Sequence, residues 1–296
     1  MKDFHNRVAV ITGAGSGFGR EFARIAASRF MRLALADIQP DALEATAAEL
    51  RAAGAEVLTE RLDVSDAAAM ERFADAVFAR YGNAHLLFNN AGVGGGGLLW
   101  EHSVRDWQWV LGVNLWGVIH GVRCFVPRMI ANGEEGHIVN TASVAGLVAA
   151  QTMGVYNVSK HGVVALSETL FQDLRIAGAK LGVTVLCPAF VDTGIKDAAR
   201  NRPAELANDA PPTPSQRLAE EQTRKAVNSG RLGAADVAAR IFDCIEQNRF
   251  YCLTHPKILG TVELRMQDIL NQRNPSDPFS LKRDVAFKAP PDATTA

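Results

Sequence analysis

Three polar side chains near the middle of the chain have the types and spacing needed for proton transfer at an oxygen atom. Tyr156 and Lys160 stand four apart at the start of a proline-free segment with helical apolar spacing, 155–176. Residues i and i+4 share one helix face, and a nearby cation favours the phenolate, so we expect Lys160 to lower the tyrosine pKa from about 10. Ser143 can donate or accept a hydrogen bond at a carbonyl. Together they suit an alcohol/ketone pair, whereas Tyr156 and Lys160 alone also fit a solvated helix face.

The elements that must position these side chains are predicted to be alternating strands and helices. Short β-branched or apolar runs recur about every 25–30 residues with amphipathic segments between them, which is typical of βαβ crossovers and a parallel sheet. We therefore predict an α/β fold: a single-domain, doubly wound parallel sheet (Rossmann-like) of about seven strands with helices on both faces. The predicted strands are 8–12, 33–36, 57–62, 86–88, 137–141, 183–187 and 251–253, and the predicted helices are 22–30, 40–53, 66–81, 107–129, 155–176, 235–247 and 258–270.

Irregular features divide the chain further. The helix over 107–129 is expected to bend or break near Gly112 and at Pro127, because proline cannot donate to the carbonyl four residues earlier. A long, polar, proline-bearing excursion, 189–233, is predicted to be a substrate lid. We expect one NAD-binding domain over 1–272 and a polar C-terminal tail over 273–296.

Composition limits the possible partners. The 296 residues are 48% hydrophobic with a formal net charge of -1, which argues against nucleic acid or an anionic membrane as a main partner. The polar N-terminus shows no signal peptide, and no unbroken apolar run approaches the roughly 18 residues of a membrane span. We therefore expect a cytoplasmic protein that acts on a small molecule.

Cysteine and histidine usage predicts neither disulfides nor a metal site. Four widely spaced cysteines in apolar contexts, Cys124, Cys187, Cys244 and Cys252, are expected to be buried and reduced. His120 lies four residues before Cys124, a spacing that metals can use, but no further ligand cluster accompanies it. Packing is the favoured interpretation.

A glycine-rich loop follows the first predicted strand, with the spacing Thr12-Gly13-x-x-x-Gly17-x-Gly19. Such a loop brings backbone close to a pyrophosphate at a helix N-terminus. Asp37 closes the second strand, where a carboxylate can bind ribose hydroxyls and would repel a 2′-phosphate. Ser16 and Ile38 nearby are uncharged, so NAD is favoured over NADP. A ligand-free glycine turn and Asp37 as a simple helix-entry residue stay open.

The ordered set of motifs resembles the short-chain dehydrogenase/reductase family over about residues 5–255. The set comprises the glycine loop, Asn89-Asn90-Ala91-Gly92, Ser143 and Tyr156-x-x-x-Lys160. The resemblance implies catalytic roles: Tyr156 as proton acid/base, Lys160 as the residue that tunes it and binds the nicotinamide ribose, Ser143 as the carbonyl-orienting group and Asn114 as holder of a proton-relay water. It also implies that the cofactor is bound by Gly13, Ser16, Gly17, Phe18, Gly19, Asp37, Asp63, Val64, Asn90, Ala91, Gly92, Tyr156, Lys160, Pro188, Val191 and Thr193.

The substrate pocket is expected to be apolar. Its predicted segments are 94–99, 144–153, Phe190 and the lid, with Leu98, Leu99, Leu147, Val148 and Met153 as lining. Such a lining favours a bulky hydrophobic secondary alcohol or ketone. The opening Met1–Phe4 and the runs 112–114, 125–131 and 136–139 are similar to bacterial dehydrogenases that oxidise the benzylic alcohol of lignin-derived aryl ethers.

Other functions remain open. Hydroxysteroid and 3-oxoacyl substrates fit the same family, and an NAD(H)-binding regulator or scaffold would need only the cofactor half of the site. The resemblance also implies a homodimer or homotetramer through the two long helices, about 103–131 and 155–177.

Overall fold

Seven parallel strands form one sheet within residues 1–228, 230 and 232–281, which are the residues that the computed structural model describes. The strands are β1 Val8–Thr12, β2 Arg32–Asp37, β3 Val57–Arg61, β4 Leu86–Asn89, β5 Gly136–Thr141, β6 Leu181–Cys187 and β7 Tyr251–Leu253. Each lies within two residues of its predicted bounds, and the predicted α/β fold class is confirmed.

The strand order is β3-β2-β1-β4-β5-β6-β7. The chain builds outward from β1 to β3, crosses back, and continues outward from β4 on the other side of β1. The order therefore reverses between β1 and β4, which is where open parallel sheets bind ligands at their carboxyl edge.

Helices cover both faces of the sheet because successive strand residues point to opposite sides. Ile11 packs into a core with the first, second and eighth helices, whereas Val10 packs against the third, fifth and sixth. The helices are α1 Gly17–Ser28, α2 Pro40–Ala52, α3 Ala67–Tyr81, α4 Val104–Leu111, α5 Gly117–Asn132, α6 Gly154–Ile176, α7 Pro214–Asn228, α8 Ala234–Glu246 and α9 Leu259–Leu270.

The long helical stretch after β4 differs from the expectation. It begins at Val104, where Ser103 and Asp106 form a reciprocal capping box. Gly112 does not break it: residues Gly112–Trp116 form a π-helical turn that leads directly into α5. Pro127 lies inside α5, whose neighbouring side chains Phe125 and Met129 are fully buried and hold the helix together despite the missing donor.

The stretch Val104–Asn132 is also long and apolar enough to cross a membrane by length and composition alone. Fifty-six per cent of its most apolar window is buried inside the fold. This is the burial expected of a core helix.

The excursion after β6 is structured, and its helix coincides with the weak helical pieces that the sequence indicates around 215–227. It contains 3-10 turns at Ile195–Asn201 and Ala204–Leu206, followed by α7. The predicted tail is described only as far as residue 281, and residues 282–296 lie outside the described part of the chain.

Candidate active site

A cavity of about 1190 Å³ lies at the carboxyl edge of the sheet. Residues that end or follow five different strands line it: Gly13 after β1, Asp37 at the end of β2, Asn90 after β4, Ser143 after β5 and Pro188 after β6. The topology therefore brings together residues that are up to 175 positions apart, from Gly13 to Pro188.

Ser143, Tyr156 and Lys160 share this cavity, and all three are buried. Ser143 begins a 3-10 turn after β5, and its hydroxyl donates to the Pro188 carbonyl over 3.3 Å while accepting from Ala145 N at 3.1 Å. Tyr156 and Lys160 lie in the first turns of α6, with Lys160 Nζ 5.7 Å from the tyrosine ring centroid. Lys160 Nζ donates to the Thr141 carbonyl at 2.8 Å, so its position is fixed by the end of β5.

Burial controls the proton affinity of both side chains. It raises the pKa of Tyr156, and hydrogen bonding to Ser143 opposes this effect without cancelling it. Burial also lowers the pKa of Lys160 from 10.5 to about 8, while the Cys187 thiol acts in the opposite direction. The tyrosine pKa was expected to fall because of Lys160. In this geometry it rises, because desolvation of the phenolate is the largest effect on it.

Asn114 lies in the π-helical turn behind the cavity wall and is fully buried. Its side-chain amide accepts from Val93 N at 2.8 Å and donates to Val93 O and Ser159 Oγ at 3.0 and 3.1 Å. The amide thus fixes the loop after β4 to α6. Both N–H groups of the side-chain amide are committed to these contacts, so a relay water could not accept a hydrogen bond from either of them.

The glycine loop is built for close backbone approach. A Cβ on Gly19 would lie 2.1 Å from the Gly13 carbonyl oxygen, so α1 packs directly against the loop. Gly17 has a φ of +51°, and a Cβ there would lie 2.8 Å from Thr193 Cβ. Both positions therefore require glycine.

The end of β4 is tied to the glycine loop by side-chain hydrogen bonds. Asn90 Nδ2 donates to the Thr12 carbonyl at 3.0 Å, and Asn90 N donates to Thr12 Oγ1 at 2.9 Å. Thr141 Oγ1 donates to Asn90 Oδ1 at 3.2 Å. Asn90 thereby fixes the ends of β1, β4 and β5 relative to one another.

Two carboxylates stand on the side of the cavity away from Tyr156. Asp37 accepts from Gly15 N at 2.8 Å and Gln39 N at 2.9 Å, which ties the end of β2 to the glycine loop. Asp63 accepts from both Ser65 N and Ser65 Oγ. The properties that a dinucleotide needs are present: a side-chain-free loop at a helix N-terminus, a carboxylate at the end of β2 and a large adjoining space.

All but two of the predicted site residues line this one cavity. Gly19 lies beneath the loop and Asn114 lies behind Val93. The cavity-lining set is Gly13, Ser16, Gly17, Phe18, Asp37, Asp63, Val64, Asn90, Ala91, Gly92, Ser143, Tyr156, Lys160, Pro188, Val191 and Thr193.

The predicted substrate lining is only partly correct. Val148, Met153 and Phe190 line the cavity, whereas Leu98, Leu99 and Leu147 are outside its lining. Leu99 is exposed, and Leu147 packs into the hydrophobic cluster between α6 and the sheet. Gly97 has a φ of +135°, and this backbone turn, which the sequence did not reveal, carries the chain at residues 98–99 away from the cavity.

A polar group at the cavity wall was missed by sequence reasoning. His102 and Asp106 at the start of α4 line the cavity together with Arg202 and Asn208 from the excursion after β6. Arg202 Nη1 donates to Asp106 Oδ1 at 2.7 Å, and Asn208 Nδ2 donates to the same oxygen at 2.9 Å. The two segments are about a hundred residues apart in sequence, so no local motif predicts their contact. The Ser103/Asp106 capping box indicates only where the helix starts.

The four cysteines and His120 lie in packed surroundings. All four cysteines are buried and free, as predicted. The His120 ring lies 5.6 Å from the Trp116 ring, and Cys124 Sγ lies 3.5 Å from Glu71. Among the described residues, no group of three or more His, Cys, Asp or Glu side chains is arranged to hold a metal ion.

Known proteins resemble the chain over almost its whole length. Residues 7–204 match the family model described as short chain dehydrogenase. The chain is 35% identical over 277 residues to the CLA biosynthesis dehydrogenase/reductase of Lactiplantibacillus plantarum, covering 93% of this chain and 97% of that protein. It is 34% identical over 288 residues to the C alpha-dehydrogenase of Sphingobium sp. SYK-6, covering 96% and 93%.

A solved structure is closer still. A short chain dehydrogenase/reductase from Burkholderia phymatum, crystallised in complex with NAD, is 58% identical and superposes with a TM-score of 0.93. The match covers 95% of this chain and 100% of that one.

Proposed function

The chain belongs to the short chain dehydrogenase family, and from this premise we propose that it is an NAD-dependent oxidoreductase that interconverts a hydrophobic secondary alcohol, aryl alcohols included, and its ketone. The observation that carries the proposal is the convergence of Ser143, Tyr156 and Lys160 on the same cavity as the glycine loop and Asp37. A cofactor-binding regulator would have no need of this buried proton-transfer group.

The proposed chemistry assigns each side chain a step. In ketone reduction, Tyr156 gives its phenolic proton to the carbonyl oxygen, and burial favours the protonated form that this requires. Ser143 donates a hydrogen bond to the same oxygen after giving up its long contact to Pro188. Lys160, positively charged below about pH 8, stabilises the phenolate that is left. In alcohol oxidation Tyr156 takes the proton back.

The nicotinamide ring, when bound, supplies the hydride acceptor or donor. We propose that the glycine loop and α1 hold the pyrophosphate and that Lys160, Asn90, Ala91 and Gly92 hold the nicotinamide ribose. On the adenosine side, Asp63 and Val64 would contact the adenine and Asp37 the ribose. Pro188, Val191 and Thr193 form the wall next to the nicotinamide.

NAD is favoured over NADP for an electrostatic reason. Asp37 lines the cavity beside the glycine loop, and its negative charge would repel a 2′-phosphate. The family relative from Burkholderia phymatum was crystallised with NAD, which supports the same choice.

The substrate class rests on the cavity lining beyond Tyr156. Apolar side chains including Val148, Met153 and Phe190 surround this space, which supports a hydrophobic alcohol over a sugar. One relative is named a C alpha-dehydrogenase and another a CLA biosynthesis dehydrogenase/reductase. Both names describe dehydrogenases, which supports the proposed reaction class.

Two further properties are proposed with the activity. The four buried, unpaired thiols suit the reducing conditions of the cytoplasm. Exposed apolar side chains on the α5 and α6 side of the sheet support a homodimer or homotetramer.

The test is the change in reduced-nicotinamide absorbance when the purified protein meets NAD or NADP and a panel of aryl, steroid, aliphatic and hydroxyacyl secondary alcohols. We expect NAD-linked oxidation of at least one hydrophobic class and at least about tenfold lower efficiency with NADP. NADH binding without turnover on any member would contradict the proposed reaction and favour a regulator.

A further inference from the structure

The wall of the cavity formed by the start of α4 carries a buried histidine with an unused nitrogen. The His102 side chain is 2% exposed, lines the cavity, and its Nε2 has no hydrogen-bond partner. Buried polar atoms are nearly always satisfied in folded proteins, and each exception needs an explanation. Because His102 lines the cavity, a group bound there is an explanation that its position supports.

Asp106 determines which hydrogen-bonding role that nitrogen plays. Its Oδ2 lies 3.8 Å from His102 Nδ1, a separation too long for a strong hydrogen bond but close enough for the carboxylate to favour a proton on Nδ1. In the neutral imidazole, Nε2 then carries a lone pair and accepts. It therefore calls for a ligand atom that donates a proton.

The carboxylate itself is held in place by three hydrogen bonds. Asp106 Oδ1 accepts from Arg202 and Asn208, and Oδ2 accepts from Ser103 N at 2.9 Å. Burial alone would raise the pKa of Asp106, but the nearby His102 ring and hydrogen bonds from Asn208 and Arg202 outweigh it and lower the pKa below its usual value. The charge of Arg202 is thus balanced within the protein.

A second unsatisfied atom lies on α4, which begins two residues after His102. Trp109 is buried and lines the cavity, its indole Nε1–H has no partner, and the Arg202 guanidinium lies 5.1 Å from its ring. An indole nitrogen can only donate. The wall therefore carries one unpaired acceptor and one unpaired donor, a combination that suits a neutral hydroxyl; a carboxylate has no proton for Nε2.

Between this wall and Tyr156 the protein is apolar. Val93, Trp109, Val110, Val155 and Ala198 form one hydrophobic cluster, and Val155 directly precedes Tyr156. We propose that His102, positioned by Asp106, is a specificity-determining residue that binds a hydroxyl group at the end of the substrate remote from the reacting carbinol. The inference rests on the proposed function, and it narrows the substrate class to hydrophobic secondary alcohols or ketones that carry such a second hydroxyl.

The test uses pairs of aryl ketones that are identical except for one hydroxyl on the ring end remote from the carbonyl, with one to four methylenes between ring and carbonyl. Their dissociation constants are measured by calorimetry on the NADH complex of the Tyr156→Phe protein, in which turnover is suppressed. We expect at least one hydroxylated ketone to bind about tenfold or more tightly than its partner, because the partner leaves buried polar atoms unpaired.

His102→Phe in the same background should abolish that preference while leaving the affinity for the unhydroxylated ketone within about twofold. His102→Gln should keep part of the preference, and His5→Phe, at an exposed histidine outside this cavity, should keep all of it. Equal affinities within every pair, or a preference that survives His102→Phe, would overturn the inference. If a variant fails to fold, the comparison of hydroxylated and unhydroxylated ketones on the protein with His102 intact still tests the inference, because equal affinities would overturn it.

Turnover by the wild-type protein separates the two proposals. A hydroxyl preference in binding without NAD-linked turnover would contradict the proposed reaction and leave the His102 assignment standing. NAD-linked turnover without a hydroxyl preference in binding would support the proposed reaction and contradict the His102 assignment.

Discussion

Burial moves the proton affinities of Tyr156 and Lys160 in opposite directions. The tyrosine holds its proton more firmly than in water, whereas the lysine releases its proton near pH 8 instead of 10.5. At neutral pH the pair is therefore a proton-bearing phenol beside a cation, which is ready for ketone reduction. Alcohol oxidation needs the phenolate, so its rate should rise with pH until Lys160 loses its charge.

The lowered pKa of Lys160 predicts how the free energy of unfolding depends on pH. Between pH 8 and 10.5 the unfolded chain binds a proton at this lysine that the folded protein does not, so the free energy of unfolding rises with pH over this range. The full shift of about 2.5 pH units corresponds to at most about 3 kcal/mol. In Lys160→Met this contribution is absent, so the stability of the variant relative to wild type should fall as pH rises from 8 to 10.5.

Urea unfolding of both proteins at pH 7, 9 and 10 measures this difference. Lys180→Met, at an exposed lysine, should differ from wild type by the same amount at each pH. A Lys160→Met difference that is also independent of pH would show that Lys160 is not desolvated as described.

We predict that Asp37 controls the preference for NAD over NADP. Asp37→Ala removes the charge that opposes a 2′-phosphate, together with one backbone contact to the glycine loop, from Gly15 N, and one from Gln39 N. We expect the KM for NAD to rise about tenfold and the preference for NAD over NADP to fall by at least as much. Steady-state kinetics with both cofactors measure the change, and Asp41→Ala, at an exposed carboxylate on α2, is the matched control. Unchanged discrimination in Asp37→Ala would place the selectivity elsewhere.

At the scale of elements, the junction between β1 and α1 depends on the absence of a side chain. Gly19 lies inside α1, yet a methyl group there would lie 2.1 Å from the Gly13 carbonyl oxygen. Gly19→Ala must therefore push α1 away from the loop. We expect NADH affinity to fall by at least about tenfold because the loop amides no longer converge.

Fluorescence titration with NADH measures this loss. Gly260→Ala is the control, since a Cβ at this helical position on α9 meets its nearest atom at 3.5 Å. It should keep wild-type affinity and gain stability from the better helix former. NADH binding by Gly19→Ala that equals wild type would contradict the description of the loop.

The elements that the sequence predicts best are those fixed by local pattern. The seven strands follow from runs of β-branched and apolar residues, and the carboxyl-edge residues Gly13, Asp37, Ser143 and Tyr156 follow from motif spacing within or next to those elements. Residues such as His102 and Arg202 were missed because they meet only through the folding of the segment after β6 over α4. The tyrosine pKa was also misjudged, because charge proximity can be read from i, i+4 spacing whereas desolvation cannot.

At the scale of the whole molecule, an apolar surface remains on the α5 and α6 side of the sheet. Trp116 is 52% exposed, and Val158 and Ile176 are also exposed. Large exposed apolar side chains grouped on one side favour association. Trp116→Arg should therefore shift the proposed dimer or tetramer towards monomer.

Sedimentation velocity measures this shift. Phe30→Arg, at an exposed aromatic residue beyond the end of α1, should leave the assembly unchanged. A wild-type protein that sediments as a monomer at micromolar concentration, or a Trp116→Arg protein with the wild-type assembly, would contradict this interface.

The central claim is that this molecule is an NAD-linked oxidoreductase in which Tyr156 carries the proton, and the most direct test compares wild type with Tyr156→Phe. The measurement is NADH formation with the best alcohol of the panel, alongside the dissociation constant for NADH. We predict that kcat falls by about 10²–10⁴ while NADH affinity stays within about threefold, because only the transferable proton is removed. Turnover by Tyr156→Phe at the wild-type rate would contradict the role of Tyr156 in proton transfer.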